Sequence, residues 1–141
     1  MANALYNNFK EVVMEGSIDF TTNTIKLMLV TSGYTFDADH VFVSSVVPAS
    51  NEFADASYSR ATLGTKTVTQ DDTDDEGVFD AADVTFSSLA GGETAAAAII
   101  YKEVTNDADS LLIAYVDDVD FTSNGGDVTI QWNTEGIINL N

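Results

Sequence analysis

Val128, Ile130 and Trp132 alternate with Thr129, Gln131 and Asn133 directly after the run Asn124-Gly125-Gly126-Asp127. A period of two puts one set of side chains on a buried face and the other in water, and the glycines supply the backbone freedom of a tight turn. Short stretches of this kind recur along the chain. In segment 24–31, Ile25, Leu27 and Leu29 share one face and Lys26, Met28 and Val30 the other, as in a strand buried on one side and partly covered on the other. The longest apolar run, residues 95–101, falls far short of the roughly 20 residues a membrane helix needs. Many short strands, frequent turns and no alternation of strand with helix predict a mainly β fold. The expected architecture is a two-sheet antiparallel β-sandwich with one short N-terminal helix, a single domain over residues 1–141.

Leu5, Phe9, Val12 and Val13 recur at helical spacing, Asn3 can cap the start, and Gly16 sits where a left-handed residue would stop the turn. This predicts a helix over 4–15 that covers a sheet with its apolar stripe. Segment 37–47 suits a short helix or turn that begins at Asp37 and is ended by Pro48, the only proline, although Val41, Val43, Val46 and Val47 also tolerate an extended form. Thr62 to Val68, interrupted by Gly64, predicts one strand with a bend or bulge. Val78-Phe79 and Val84-Thr85-Phe86 read as short strands. Residues 95–104 and 111–119 predict a hairpin, the small alanines letting another layer approach closely.

Twenty-three acidic residues against five basic ones leave a net charge of −18. Nucleic acid is held by Lys and Arg that neutralise phosphates, so DNA should repel this chain. A hydrophobic share of 45% means that the charge does not signal disorder. Acidity keeps such a protein soluble and, near packed DNA, pushes it to the outside. With no cysteine and one histidine there is no thiol nucleophile, disulfide framework or multi-histidine metal cage. Lys10, Glu11, Glu15 and Asp19 interrupt any signal-peptide core, so cytoplasmic synthesis is expected.

The loop from Asp71 to Glu76, acidic everywhere except Thr73, is the best chemical lead. Asp72, Asp74, Glu76 and Gly77 imitate the start of an EF-hand loop, with Asp80 and Asp83 at its ninth and twelfth positions. Glu at the fifth position, Asp at the twelfth and strand-like flanks depart from that pattern, so a solvated hairpin tip is expected. His40 could act as a base, but no Ser or Cys with a recognisable elbow accompanies it. Asp117 and Asp118 are a carboxylate pair without sugar-stacking aromatics. Phe79, Phe86, Tyr101, Tyr115, Phe121 and Trp132 fall within strand patterns and read as core. No catalytic, cofactor or metal residue is assigned, and no enzyme activity is expected.

Leu5-Tyr6-Asn7-Asn8-Phe9-Lys10, then Gly16, Ile18-Asp19 and Thr24-Ile25-Lys26-Leu27-Met28-Leu29, resemble the opening of small virion structural proteins of tailed bacteriophages. Val78 to Phe86, Ile99-Ile100-Tyr101-Lys102, Leu111 to Asp117 and Asn124 to Asn133 with Gly136-Ile137 extend the resemblance over nearly the whole chain; the acidic loop is longer and more charged than the family pattern. The resemblance implies a non-enzymatic particle component assembled in the host cytoplasm, without an active site. Its expected role is a capsid decoration or cement protein on the outer head surface. Expected partners are the major capsid protein and neighbouring copies of itself in a symmetric assembly such as a trimer, with neither nucleic acid nor membrane. The alternatives are a tail, neck or fibre-associated component, and a calcium-dependent surface adhesion module.

Overall fold

The computed structural model describes residues 3–47 and 50–141, so Pro48 lies outside the described residues. In chain order the elements are β1 (Asn3–Leu5), α1 (Asn7–Met14), β2 (Ile25–Val30), β3 (Ala61–Thr62), β4 (Thr67–Asp71), β5 (Glu76–Asp80) and β6 (Val84–Phe86). They continue with β7 (Thr94–Ala95), β8 (Ala97–Lys102), β9 (Leu111–Val116), β10 (Phe121–Thr122), β11 (Val128–Ile130) and β12 (Ile138–Leu140). The protein is mainly β, and every pairing between these strands is antiparallel. A five-stranded sheet runs β1-β9-β8-β2-β3 and a three-stranded sheet β12-β5-β4; the ribbons β10-β7 and β11-β6 accompany them. The expected sandwich holds in outline, its strands divided among more sheets than two.

The middle of the large sheet is buried on both faces: all of β2 except Lys26, and all of β8 except Lys102, are closed to water. Cross-strand partners share a face, so Met28, Ile99 and Tyr115 project to one side and Leu27, Ile100 and Ala114 to the other. On the first side, Tyr34 and Phe36 pack against Tyr115 with ring centroids 6.1 and 5.1 Å away. On the second, the Asn3 side chain donates to the Ile137 carbonyl at 2.6 Å, which ties β1 to the approach of β12. An aromatic chain then runs from α1 into the smaller sheet: Phe9 meets Phe20 edge-on at 5.9 Å, and Phe20 stacks on Phe79 at 4.2 Å.

The helix begins at Asn7, three residues later than its apolar spacing predicts, because residues 3–5 add a strand to the outer edge of β9. Pairing of Asn3 with Val116, Ala4 with Tyr115 and Leu5 with Ala114 occupies backbone groups that a longer helix would have to claim. Asn3 is therefore not a cap; the cap position is Tyr6, with no side-chain cap bond. Gly16 does end the helix, at φ 72°. Segment 37–47 contains a single 3-10 turn, Val43–Ser45, held by Val43 N–H to Ser110 O and Ser44 N–H to Asp107 O, both 2.9 Å.

Two expected strands are each divided. Residues 62–68 supply β3 to the large sheet and β4 to the small one, the chain crossing between them through buried Leu63 and through Thr65 at φ 50°. Residues 95–104 split at Ala96, whose N–H bonds Val30 O at 2.8 Å where the chain leaves its ribbon with β10 and joins β2. The β8–β9 hairpin forms as expected and ends at Val116, short of 119. Its register steps from Ile100↔Ala114 to Tyr101↔Leu112, leaving Ile113 as the extra residue of a bulge. Trp132 closes the far end, its indole N–H donating to Ala82 O at 3.0 Å.

Phe9 is fully buried on α1. Phe9→Ala removes its edge contact with Phe20 and should cost about 3–5 kcal/mol by chemical denaturation. An unchanged unfolding midpoint would mean that the ring does not pack as described.

Candidate functional site

The acidic segment is the tip of the β4–β5 hairpin, closed by the pair Asp71↔Glu76 with the turn between them and Asp75 at φ 58°. Local bonds hold it: Asp71 Oδ1 accepts the N–H of Thr73 at 2.7 Å and of Asp74 at 3.3 Å. The EF-like ligand set does not converge. Asp72 takes the Gln70 amide and Glu76 takes the Asn139 amide. Asp80 lies four strand residues beyond Glu76, about 13 Å along β5, whereas calcium ligands sit within about 2.6 Å of the ion. Asp83 accepts the Trp132 backbone N–H at 3.0 Å. A different trio, Asp71, Asp74 and Glu135, brings one carboxylate oxygen each within 4.8 Å of one another. Glu135 comes from the turn before β12, a proximity that sequence spacing could not reveal.

Beneath this hairpin lies an apolar groove of about 420 Å³, walled by Val13, Ile18, Phe20, Val68 and Leu140 and floored by Gly77 and Phe79. Val68, Phe79 and Ile138 face it in one row across the three strands, and Gly77, opposite Gln70 and Leu140, supplies no side chain to fill the next row. The nearest atom to a Cβ built on Gly77 is the Leu140 carbonyl oxygen at 3.9 Å. Helix α1 ends too early to cover the opening, leaving Met14 82%, Val68 54% and Leu140 42% exposed. Asp19 and the hairpin acids Asp71, Asp72, Asp75 and Glu76 line the groove and the adjoining surface depression.

Elsewhere one cluster of half-buried charges is paired within the chain. Arg60 reaches both Glu52 oxygens at 2.7 Å and both Asp107 oxygens at 2.6 and 3.0 Å, and its guanidinium lies 5.6 Å from the centre of the Tyr101 ring. This clip ties the segment before β3 to the β8–β9 loop. Hydrogen bonds from Arg60 hold the Asp107 carboxyl below the ordinary aspartate value. His40 Nδ1 lies 3.1 Å from the Tyr34 hydroxyl, which lies 3.0 Å from the Tyr6 hydroxyl. Burial, then the bond with Tyr34, pushes the Tyr6 hydroxyl far up, so it stays protonated. The sequence reading missed both the clip and this chain, whose members are far apart in order. Asp117 and Asp118 are exposed in the turn after β9. Phe79, Phe86, Tyr101 and Trp132 are buried, and Tyr115 and Phe121 pack against the core, as expected of structural aromatics.

Compared with protein-family models, curated proteins and solved structures, the chain matches none. Among the described residues no helix is long and apolar enough to cross a membrane.

Arg60→Ala leaves Glu52 and Asp107 facing each other without a cation; because Asp107 is 40% exposed, the loss should be about 2 kcal/mol, below that of a fully buried pair. The Asp107 contribution is complete above the unfolded aspartate pKa of about 3.9 and fades as pH falls through the lower folded value. Asp107→Asn should therefore flatten the fall of stability below about pH 4, which acid titration of the denaturation midpoint reads directly. The hairpin tip, in turn, should attract calcium only through general charge. Calorimetry in about 0.15 M salt with excess magnesium should give no saturable signal; micromolar one-site binding abolished by Asp72→Ala would contradict this.

Proposed function

We propose that this chain is a non-enzymatic structural protein of a tailed-bacteriophage virion, a decoration or cement protein seated on the outer head surface. The observation that carries the reading is the disposition of charge. All five cations are engaged within the chain: Lys26 with Glu103, Arg60 with Glu52 and Asp107, Lys10 with Asn7, Lys66 with the Asn23 carbonyl and Lys102 with the Ser17 carbonyl. None of the 23 acidic residues is buried and most are exposed, so the excess of 18 negative charges lies at the surface. Such a body is repelled by packaged DNA and suits the outside of a shell.

The sequence resemblance supports the same reading, because its blocks coincide with the core strands β2, β8 and β9 as well as with β5, β6 and β11. It concerns a whole folded body. A rigid body that bridges neighbouring capsid subunits adds a modest interface at each seam, and repetition around a shell multiplies the effect. Copy number tests the reading. Quantitative protein analysis of purified particles should find hundreds of copies, released with capsid proteins on mild dissociation. A handful of copies that stay with isolated tails would place the protein at the tail or neck instead.

A further inference from the structure

We infer that the apolar groove and the open edge of β4 together form a docking site for an extended segment of a partner protein in which apolar residues alternate with Lys or Arg. Groove and edge define this site whatever assembly the chain joins.

Strand β4 is an edge: among the described residues it pairs only with β5. Thr67, Val68, Thr69 and Gln70 are all exposed, so neither face of the strand is covered along most of its length. The alternation of an antiparallel ladder identifies which backbone groups point outward. Ile137 N–H donates to Phe79 O at 2.8 Å, so the backbone of Phe79 is turned toward β12. Val68, opposite Phe79, then occupies a pair without mutual hydrogen bonds, and its own N–H and C=O face the open edge, as do those of Gln70 two residues on. An incoming strand can take these groups in an added ladder.

Side chains and charge define what that strand must carry. Val68 shares its face with buried Phe79, so an added strand continues that face and turns alternate side chains toward the groove over Gly77. Those side chains must be apolar to meet Val68, Leu140 and Phe20. The carboxylates beside the groove, Asp19, Asp71, Asp72, Asp75 and Glu76, have no lysine or arginine among the lining residues. Alternate side chains turn to the opposite face of the hairpin, which carries Asp71, Glu76 and Asp80, so cationic residues at those positions meet carboxylates. A second copy of this chain is disfavoured as occupant, because it would bring the same carboxylates and another 18 negative charges.

Fluorescence anisotropy with three synthetic ten-residue peptides tests the site: alternating Lys and Val, alternating Lys and Ser, and alternating Glu and Val, in about 0.15 M salt where long-range attraction is screened. The Lys/Val peptide should bind at least ten-fold more tightly than either control. Val68→Pro removes an outward N–H that β5 does not use, and Gly77→Val fills the groove floor at a position with open space; each should weaken the Lys/Val peptide at least ten-fold. Asp75→Asn should weaken it more than Asp120→Asn, which removes the same charge from a different surface. Equal binding of the Lys/Val and Lys/Ser peptides overturns the proposal whether or not the variants fold. So does indifference of a folded Gly77→Val protein. Concentration-dependent dimerisation of the peptide-free chain that Gly77→Val abolishes would overturn it by making a second copy the occupant.

Discussion

Burial of β2 and β8 on both faces dictates how the remaining elements are arranged. A half-buried antiparallel sheet needs one covering layer, but Ile25–Val30 and Ala97–Lys102 present apolar side chains above and below and need two. The long excursion between β2 and β3 supplies Tyr34, Phe36, Val43 and Val46 to the core. The opposite cover is assembled from α1, Phe20 and the small sheet, joined by the Phe9–Phe20–Phe79 rings. The small alanines 95, 97 and 98, all fully buried, let these layers come close. Each chain reversal then serves the same end, returning an apolar side chain to one of the two faces. The β4–β5 hairpin is the part released from this duty, which is why it can project with four successive exposed residues.

The acid excess is also a folding device. Asp19 accepts from Thr21 and Thr22 N–H and from the Thr21 hydroxyl, and these bonds bring its pKa down to about 2. Asp55 gathers the N–H groups of Ser57, Ala90 and Gly91, and those bonds likewise lower its pKa. Asp37, Asp71 and Asp127 accept from the backbones of Asp39, Thr73 and Ser88. A fold with so many short strands has many turns, and each turn has amides that strand pairing does not use. Aspartate satisfies these amides while keeping its charge in water. Much of the charge read from composition as a matter of solubility therefore also stabilises turns. The arginine clip does the reverse, drawing charge inward to fasten a long connection to the β8–β9 loop.

The fold class, the β8–β9 hairpin, the strand over 25–30 and the stop at Gly16 were legible in the sequence because each rests on local periodicity or on a single turn residue. Where the reading failed, a distant partner decided the outcome. Ala4 and Leu5 fit the helical pattern and Asn3 looks like its cap, but all three become strand because the edge of β9, more than a hundred positions away, offers them a ladder. Thr62 and Val68 look continuous, yet neighbours in two different sheets claim them. That Asp71 to Glu76 forms a hairpin tip was legible from its strand-like flanks. The groove below it was not, since it is formed by Val13, Phe20, Val68, Gly77 and Leu140, residues whose relation exists only once the sheets are stacked. The Arg60 clip and the Tyr6–Tyr34–His40 chain escaped for the same reason.

Rigidity is concentrated in the doubly covered strands and openness in the edge of β4. Amide hydrogen exchange on the isolated protein measures both at once. Amides of β2, β8 and the inner part of β9 should exchange only through global unfolding, while those of Val68 and Gln70 should exchange orders of magnitude faster. Thr67 and Thr69, bonded to β5, should fall between them. Uniform slow exchange across β4, or fast exchange within β8, would contradict this distribution of rigidity.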